Sequence, residues 1–134
     1  MNSLPHHTIM FIEGKENRIS SRFDPGKDFV SLICAGKTDD CSLLFAQNPI
    51  ELVVLSIEVA VINGFEIIAA LRKINPAISV ILLSSHVNMQ TIKLAALMGC
   101  SDVLQTPADE NQIKAIITNH IQLNPYNENF TFSN

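Results

Sequence analysis

At 134 residues, 47% hydrophobic and 16% charged, the chain is long enough for one domain with its own core and too apolar to be disordered. A formal charge of −4, with the nine Lys and Arg scattered along the chain, lacks the basic footprint of a nucleic-acid binder. No apolar run approaches the roughly 20 residues of a membrane span, and "MNSLPHHTIMFIEG" lacks the parts of a signal peptide, so a soluble cytoplasmic protein is expected.

Residues 1–7 read as a flexible leader, residues 8–123 as one domain and residues 124–134 as a polar tail or linker stub. The first strand is expected in "TIMFIE" (8–13). "KENRISSRF" after it has few apolar positions and meets Asp24-Pro25-Gly26, so its helix should be short or irregular. "FVSLIC" (29–34) is the second strand, and "KTDDCSLLFAQN" a short helix that stops before Pro49. "ELVVLS" (51–56) has the continuous apolar character of a strand buried on both faces, and it ends on Ser56. In "NGFEIIAALRKIN", Asn63 can cap a helix with Gly64, Ile67, Ile68, Leu71 and Ile74 on its inner face, closed by Pro76.

"ISVILLS" (78–84) is the fourth strand. In the next helix, "NMQTIKLAALMG", a step of about 100° per residue puts Ile92, Ala95, Ala96 and Gly99 against the sheet and turns Leu94 and Leu97 to water. "SDVLQ" (101–105) is a weaker fifth strand, and "DENQIKAIITNHIQL" a last helix with Ile113, Ile116, Ile117 and Ile121 inward. Strands alternating with helices predict a parallel sheet covered on both faces. Cys34, Cys41 and Cys100 are odd in number and show no CxxC spacing, which points to buried free thiols. His6 and His7 have no third ligand for a metal, and the isolated glycines form no phosphate loop.

Read in order, "ELVVLSIEVAVINGFEIIAALRKINP", "ISVILLSSH" and "LAALMGCSDVLQTP" resemble the receiver domain of two-component response regulators. The most specific parts are Asn63-Gly64-Phe65-Glu66, the approach Met98-Gly99-Cys100-Ser101-Asp102 to the fifth strand, and Thr106-Pro107. The resemblance implies a flavodoxin-like (βα)5 three-layer sandwich with strand order 2-1-3-4-5 and a site at the carboxyl ends of the strands. It also implies a cis Thr106-Pro107 bond.

Members of that family normally carry two adjacent acidic residues after strand one and a phosphoacceptor Asp after strand three. Ser or Thr follows strand four, and Lys precedes the proline after strand five. The corresponding places here hold Glu13 and Gly14, Ser56, Ser84 and Thr106. A carboxylate is a ready nucleophile at pH 7, whereas the Ser56 hydroxyl needs a base. Mg²⁺ wants about six oxygens, and only Glu13 and the carbonyl of Glu58 are on offer. Thr106 gives no cation for a phosphoryl group, and the family's inward-turning switch aromatic is replaced by Val103.

These substitutions lead to a pseudo-receiver that is not an enzyme: no catalytic residue, cofactor or metal, and a phosphorylation-independent role in signalling through protein contacts. Ser56 is expected to bond backbone. The expected partner or second copy docks on the fourth helix, fifth strand and fifth helix, with Leu94, Leu97 and Met98 as an apolar patch and Lys93, Asp102 and Lys114 as its rim. An alternative is control by a small ligand, or by phosphorylation of serine, at the vestigial pocket. A remoter one is a Ser/His hydrolase built from Glu13, Ser56 and His86, although Ser56 has no glycine elbow.

Overall fold

A computed structural model describes residues 7–14 and 18–122. The strands are β1 (His7–Ile12), β2 (Phe29–Cys34), β3 (Ile50–Ser56), β4 (Ser79–Ser84) and β5 (Asp102–Gln105). The α-helices are α1 (Thr38–Gln47), α2 (Ile57–Ile74), α3 (Met89–Leu97) and α4 (Glu110–Gln122). All strand pairs are parallel, in the order β2-β1-β3-β4-β5. The expected order is therefore met. The expected fourth helix is α3 and the fifth is α4, because the weak first segment contributes only a 3-10 turn at Ser20–Arg22.

The sheet is a wall with a different core on each side. One contains Met10, Val53, Leu55, Val80 and Leu82 under α1, α2 and α3. The other contains Ile9, Phe11, Leu52, Val54 and Ile81 under α4 and the 3-10 segment. Alternate residues of β1, β3 and β4 go to opposite cores, so the middle of each strand is apolar without a break. On α4, Ile113, Ile117 and Ile121 are buried and Ile116 is half-buried, as their spacing predicts.

Several expectations are corrected. His7 belongs to β1, where its ring bonds Glu51 at 2.8 Å and lies 5.7 Å from Phe29, and is not part of a leader. Residues 1–6, 15–17 and 123–134, including the expected tail, lie outside the described residues. Cys34 and Cys41 form a disulfide, with Cα atoms 5.8 Å apart, and are not free thiols; the β2–α1 turn brings the two together. Cys100 is free.

The helix after β3 begins six residues before the expected Asn63 cap, at Ile57. Ser56 is its N-cap, and Asn63 marks a kink with non-helical backbone where its side-chain amide donates to the Gly36 carbonyl at 2.8 Å. Ile74 is exposed. On α3 the inner face is Thr91, Ala95 and Met98, with Leu94 packed on the core edge, while Ile92 and Ala96 face water. Asn88 and Thr91 form a reciprocal capping box that sets this rotation. Gly99 then turns the chain with φ +70, a conformation that favours glycine.

Candidate functional site

In a doubly wound sheet the carboxyl ends of the strands form the crevice, and the five residues singled out there lie at those ends. Ser56, Ser84 and Thr106 come together, lining a cavity of about 190 Å³ with Glu58 and Ile19. Glu13 and Gly14 do not join its lining.

Each polar group there has a local task. The Ser56 hydroxyl accepts from the Val59 amide at 3.4 Å, capping α2. Ser84 closes a small turn: its hydroxyl donates to the His86 carbonyl at 2.9 Å and accepts from the His86 amide at 3.2 Å. Glu13 is only 2% exposed, and its carboxylate is engaged by the β1–β2 crossover. Its carboxylate accepts from the amides of Ile19 (3.1 Å) and Ser20 (3.3 Å) and from the Ser20 hydroxyl. These bonds pin the start of the 3-10 turn.

Sequence reasoning considered only the carbonyl of Glu58. Its carboxylate lies over Gly14, so a Cβ at position 14 would meet Glu58 Cδ at 2.6 Å. The absence of a side chain at Gly14 was the available signal: it leaves room for a neighbouring group. Among the described residues, no cluster of three or more His, Cys, Asp or Glu could hold a metal ion. Glu13, Ser56 and His86 are not linked as a hydrolase triad: Glu13 serves Ser20, Ser56 serves Val59, and His86 Nδ1 pairs with the Ser85 hydroxyl at 3.1 Å.

The Thr106-Pro107 peptide is cis, as expected. Val103 is half-buried against the core beneath α3. The patch expected on α3 is reshaped: Met98 is buried and Leu94 half-buried, which leaves Leu97, Ile92 and Met89 as the exposed apolar residues of this helix. Lys93 and Lys114 are exposed, whereas Asp102 is occupied by its own backbone neighbour Val103 and by His120 Nε2 at 3.2 Å. A second apolar group, missed in the sequence, lies on α2: Val61, Ile62 and Phe65 are exposed, with Ile62 at 81%. Val61 and Leu94 line both of two adjoining grooves between α2 and α3, of about 430 and 320 Å³.

No helix among the described residues is long and apolar enough to cross a membrane. A comparison with curated proteins finds no match. Solved structures share the fold at low identity. A two-component response regulator from Clostridium difficile is 16% identical with TM-score 0.74, over 89% of this chain and 99% of that one. A CheY-like response regulator receiver domain protein from Methanospirillum hungatei is 12% identical with TM-score 0.74, over 89% and 96%. A response regulator from Thermotoga maritima is 18% identical with TM-score 0.72, over 88% and 99%. The family model for the response regulator receiver domain matches residues 13–118, a span from the end of β1 into α4, and the chain therefore belongs to the response regulator receiver domain family.

Proposed function

We propose that this receiver domain acts in signal transduction as a phosphorylation-independent protein interaction module, neither an enzyme nor a phosphoacceptor, in the cytoplasm. The observation that carries the reading is Ser56. It stands at the end of β3, where the family resemblance expects the phosphoacceptor carboxylate, and its hydroxyl is committed to capping α2. A neutral hydroxyl without an adjacent base is a poor nucleophile, and neither His86 nor Glu13 is bonded to it. Thr106 supplies no cation beside it.

The partner surface that fits best runs from α3 onto α2, with Leu97, Ile92, Val61 and Ile62 as its apolar part and Lys93 at its edge. Exposed apolar residues grouped on adjoining helices mark interaction surfaces more often than scattered ones do. The β5 and α4 sides contribute Asp102 and Lys114 as a polar border.

The deciding experiment is intact-mass spectrometry after incubation with Mg²⁺ and acetyl phosphate. No gain in mass is expected, for Ser56→Asp as well as for the native chain, and a phosphoryl adduct on Glu13 or Ser56 would sink the proposal. The surface is tested with Ile62→Asp/Leu97→Asp, which should lose partner capture or self-association at unchanged circular dichroism. Association that persists in that variant removes the α2–α3 face.

A further inference from the structure

A second cavity near the strand ends is a neighbour of the Ser56 pocket. It measures about 450 Å³ and lies between the 3-10 turn and the ends of β4 and β5. Arg18 and Arg22, two of the chain's three arginines, line it together with the hydroxyl-bearing Ser21, Ser85 and Thr106. Ile19 and Pro107 supply apolar wall.

Among the described residues lining this cavity, the charge is one-sided. Neither guanidinium has a hydrogen bond or ion pair among the described residues, although the chain carries 13 Asp and Glu against nine Lys and Arg. Of the described acidic groups nearby, Asp24 accepts from the Gly26 amide, Glu13 is satisfied by Ile19 and Ser20, and Glu58 lines the smaller cavity without lining this one. The Thr106 hydroxyl has no hydrogen bond among the described residues, so it remains a donor. Among the described residues, the Ser85 hydroxyl bonds its neighbour His86.

We propose that this pocket binds a small organic phosphate, whose phosphoryl oxygens are held by Arg18, Arg22 and Thr106 and whose organic part lies against Ile19 and Pro107. Guanidinium groups bind phosphate through paired, charge-assisted hydrogen bonds, and two of them within one concavity match a dianion. A volume of about 450 Å³ lies in the range of small-molecule sites and exceeds the need of a bare phosphate ion. Ile19, Ser85 and Thr106 line both this cavity and the Ser56 pocket, so an occupant here touches the walls of that pocket while forming no bond to Ser56. The inference is independent of the proposed interaction role, because binding by arginine needs neither a nucleophile nor a metal.

Isothermal titration of the full chain with phenyl phosphate and with inorganic phosphate, at ionic strength held constant with sodium chloride, tests it. One saturable site is expected, tighter for phenyl phosphate. The variant R18Q/R22Q should weaken it roughly tenfold or more, since two charge-assisted bonds are removed. Absent binding, equal affinity for the two probes, or unchanged affinity in the variant would overturn the proposal. Amide chemical shifts of the native chain give a second reading that survives a misfolded variant: phenyl phosphate should move the signals of Arg18, Ile19, Ser85 and Thr106. Shifts confined to other regions would overturn it equally.

Discussion

The crossover from β1 to β2 and the one from β3 to β4 leave the same edge of the sheet, yet they cover it by different means. The second uses α2, with Val59, Ala60, Ile67, Ile68 and Leu71 buried along one side. The first has, among its described residues, a single 3-10 turn, and covers the sheet with two plugs, Ile19 and Phe23, each 4% exposed. Where a helix satisfies its own backbone, the short crossover borrows an acceptor, the buried Glu13 carboxylate, for the amides of Ile19 and Ser20. A sheet face can thus be closed without helical periodicity when a few large side chains and one buried acceptor are well placed. The surfaces differ in the same way: the short crossover presents Arg18 and Arg22, and the long one presents Val61, Ile62 and Phe65.

The sharpest way to break the comparison is to remove a plug. Phe23 packs between Phe11 and Phe29, with ring centroids 5.8 and 5.6 Å away. Phe23→Ala should cost about 3–5 kcal/mol, read as a lowered urea midpoint, because truncating a buried aromatic ring leaves a cavity that its surroundings fill only in part. Ile62→Ala on the long crossover should change stability by no more than about 0.5 kcal/mol, since that side chain already faces water. Similar losses for both would mean that the short crossover is not held by its plugs.

Next in size is the borrowed acceptor. Glu13→Ala leaves two amides and the Ser20 hydroxyl without their shared partner, which should cost about 1–3 kcal/mol. Faster amide exchange at Ile19 and Ser20, with α2 unaffected, would locate the loss in the short crossover. Uniformly faster exchange would show that the two crossovers unfold together. Asn63→Ala is the matching change in the long one: it removes the bond to the Gly36 carbonyl and should cost about 0.5–1.5 kcal/mol.

The same contrast explains how much could be read before folding. Continuous apolar runs gave β1, β3 and β4 to within a residue, and the isoleucine spacing of α4 gave its inner face. The start of α2 was illegible because Ile57-Glu58-Val59-Ala60-Val61-Ile62 is apolar almost all round: with Val61 and Ile62 exposed, no amphipathic stripe separates helix from strand. On α3 two apolar faces competed, and the capping box with buried Met98 decided the rotation against Ile92 and Ala96 while Ala95 stayed inward. The site positions Ser56, Ser84 and Thr106 converged as the family pattern implied, since strand ends are fixed by topology. Side-chain direction is a different matter. That Glu13 turns to the crossover and that Arg18 and Arg22 share a cavity depend on an irregular backbone with no period to read, and that Glu58 fills the space above Gly14 depends on where α2 starts.

A further test lies at the far end of the long crossover, where α2 is tied to the α3–β5 turn. Arg72 donates to the carbonyls of Met98 at 2.6 Å and Gly99 at 2.8 Å, and Cys100 follows directly. Burial pushes the Cys100 thiol up from 9.0 to about 11, against the opposing pull of the Arg72 charge. The sign follows from linkage. Below pH 9 the thiol is neutral in both states and pH has no effect through it; between 9.0 and about 11 the unfolded chain ionises while the folded one stays neutral. Stability therefore falls across that window, and above it the loss is complete. Other groups titrate there too, so the readout is the difference between the native chain and Cys100→Ala as pH rises from 8 to 10.5. The native chain should lose more stability than the variant over this interval, and parallel curves would show that the thiol is not shielded. A neutral thiol is also a poor nucleophile, so alkylation by iodoacetamide at pH 8 should be slow in the folded protein and rapid after denaturation. Fast alkylation of native Cys100 would mean that the Arg72 tie opens readily, and that the long crossover is no firmer at this end than the short one is around its plugs.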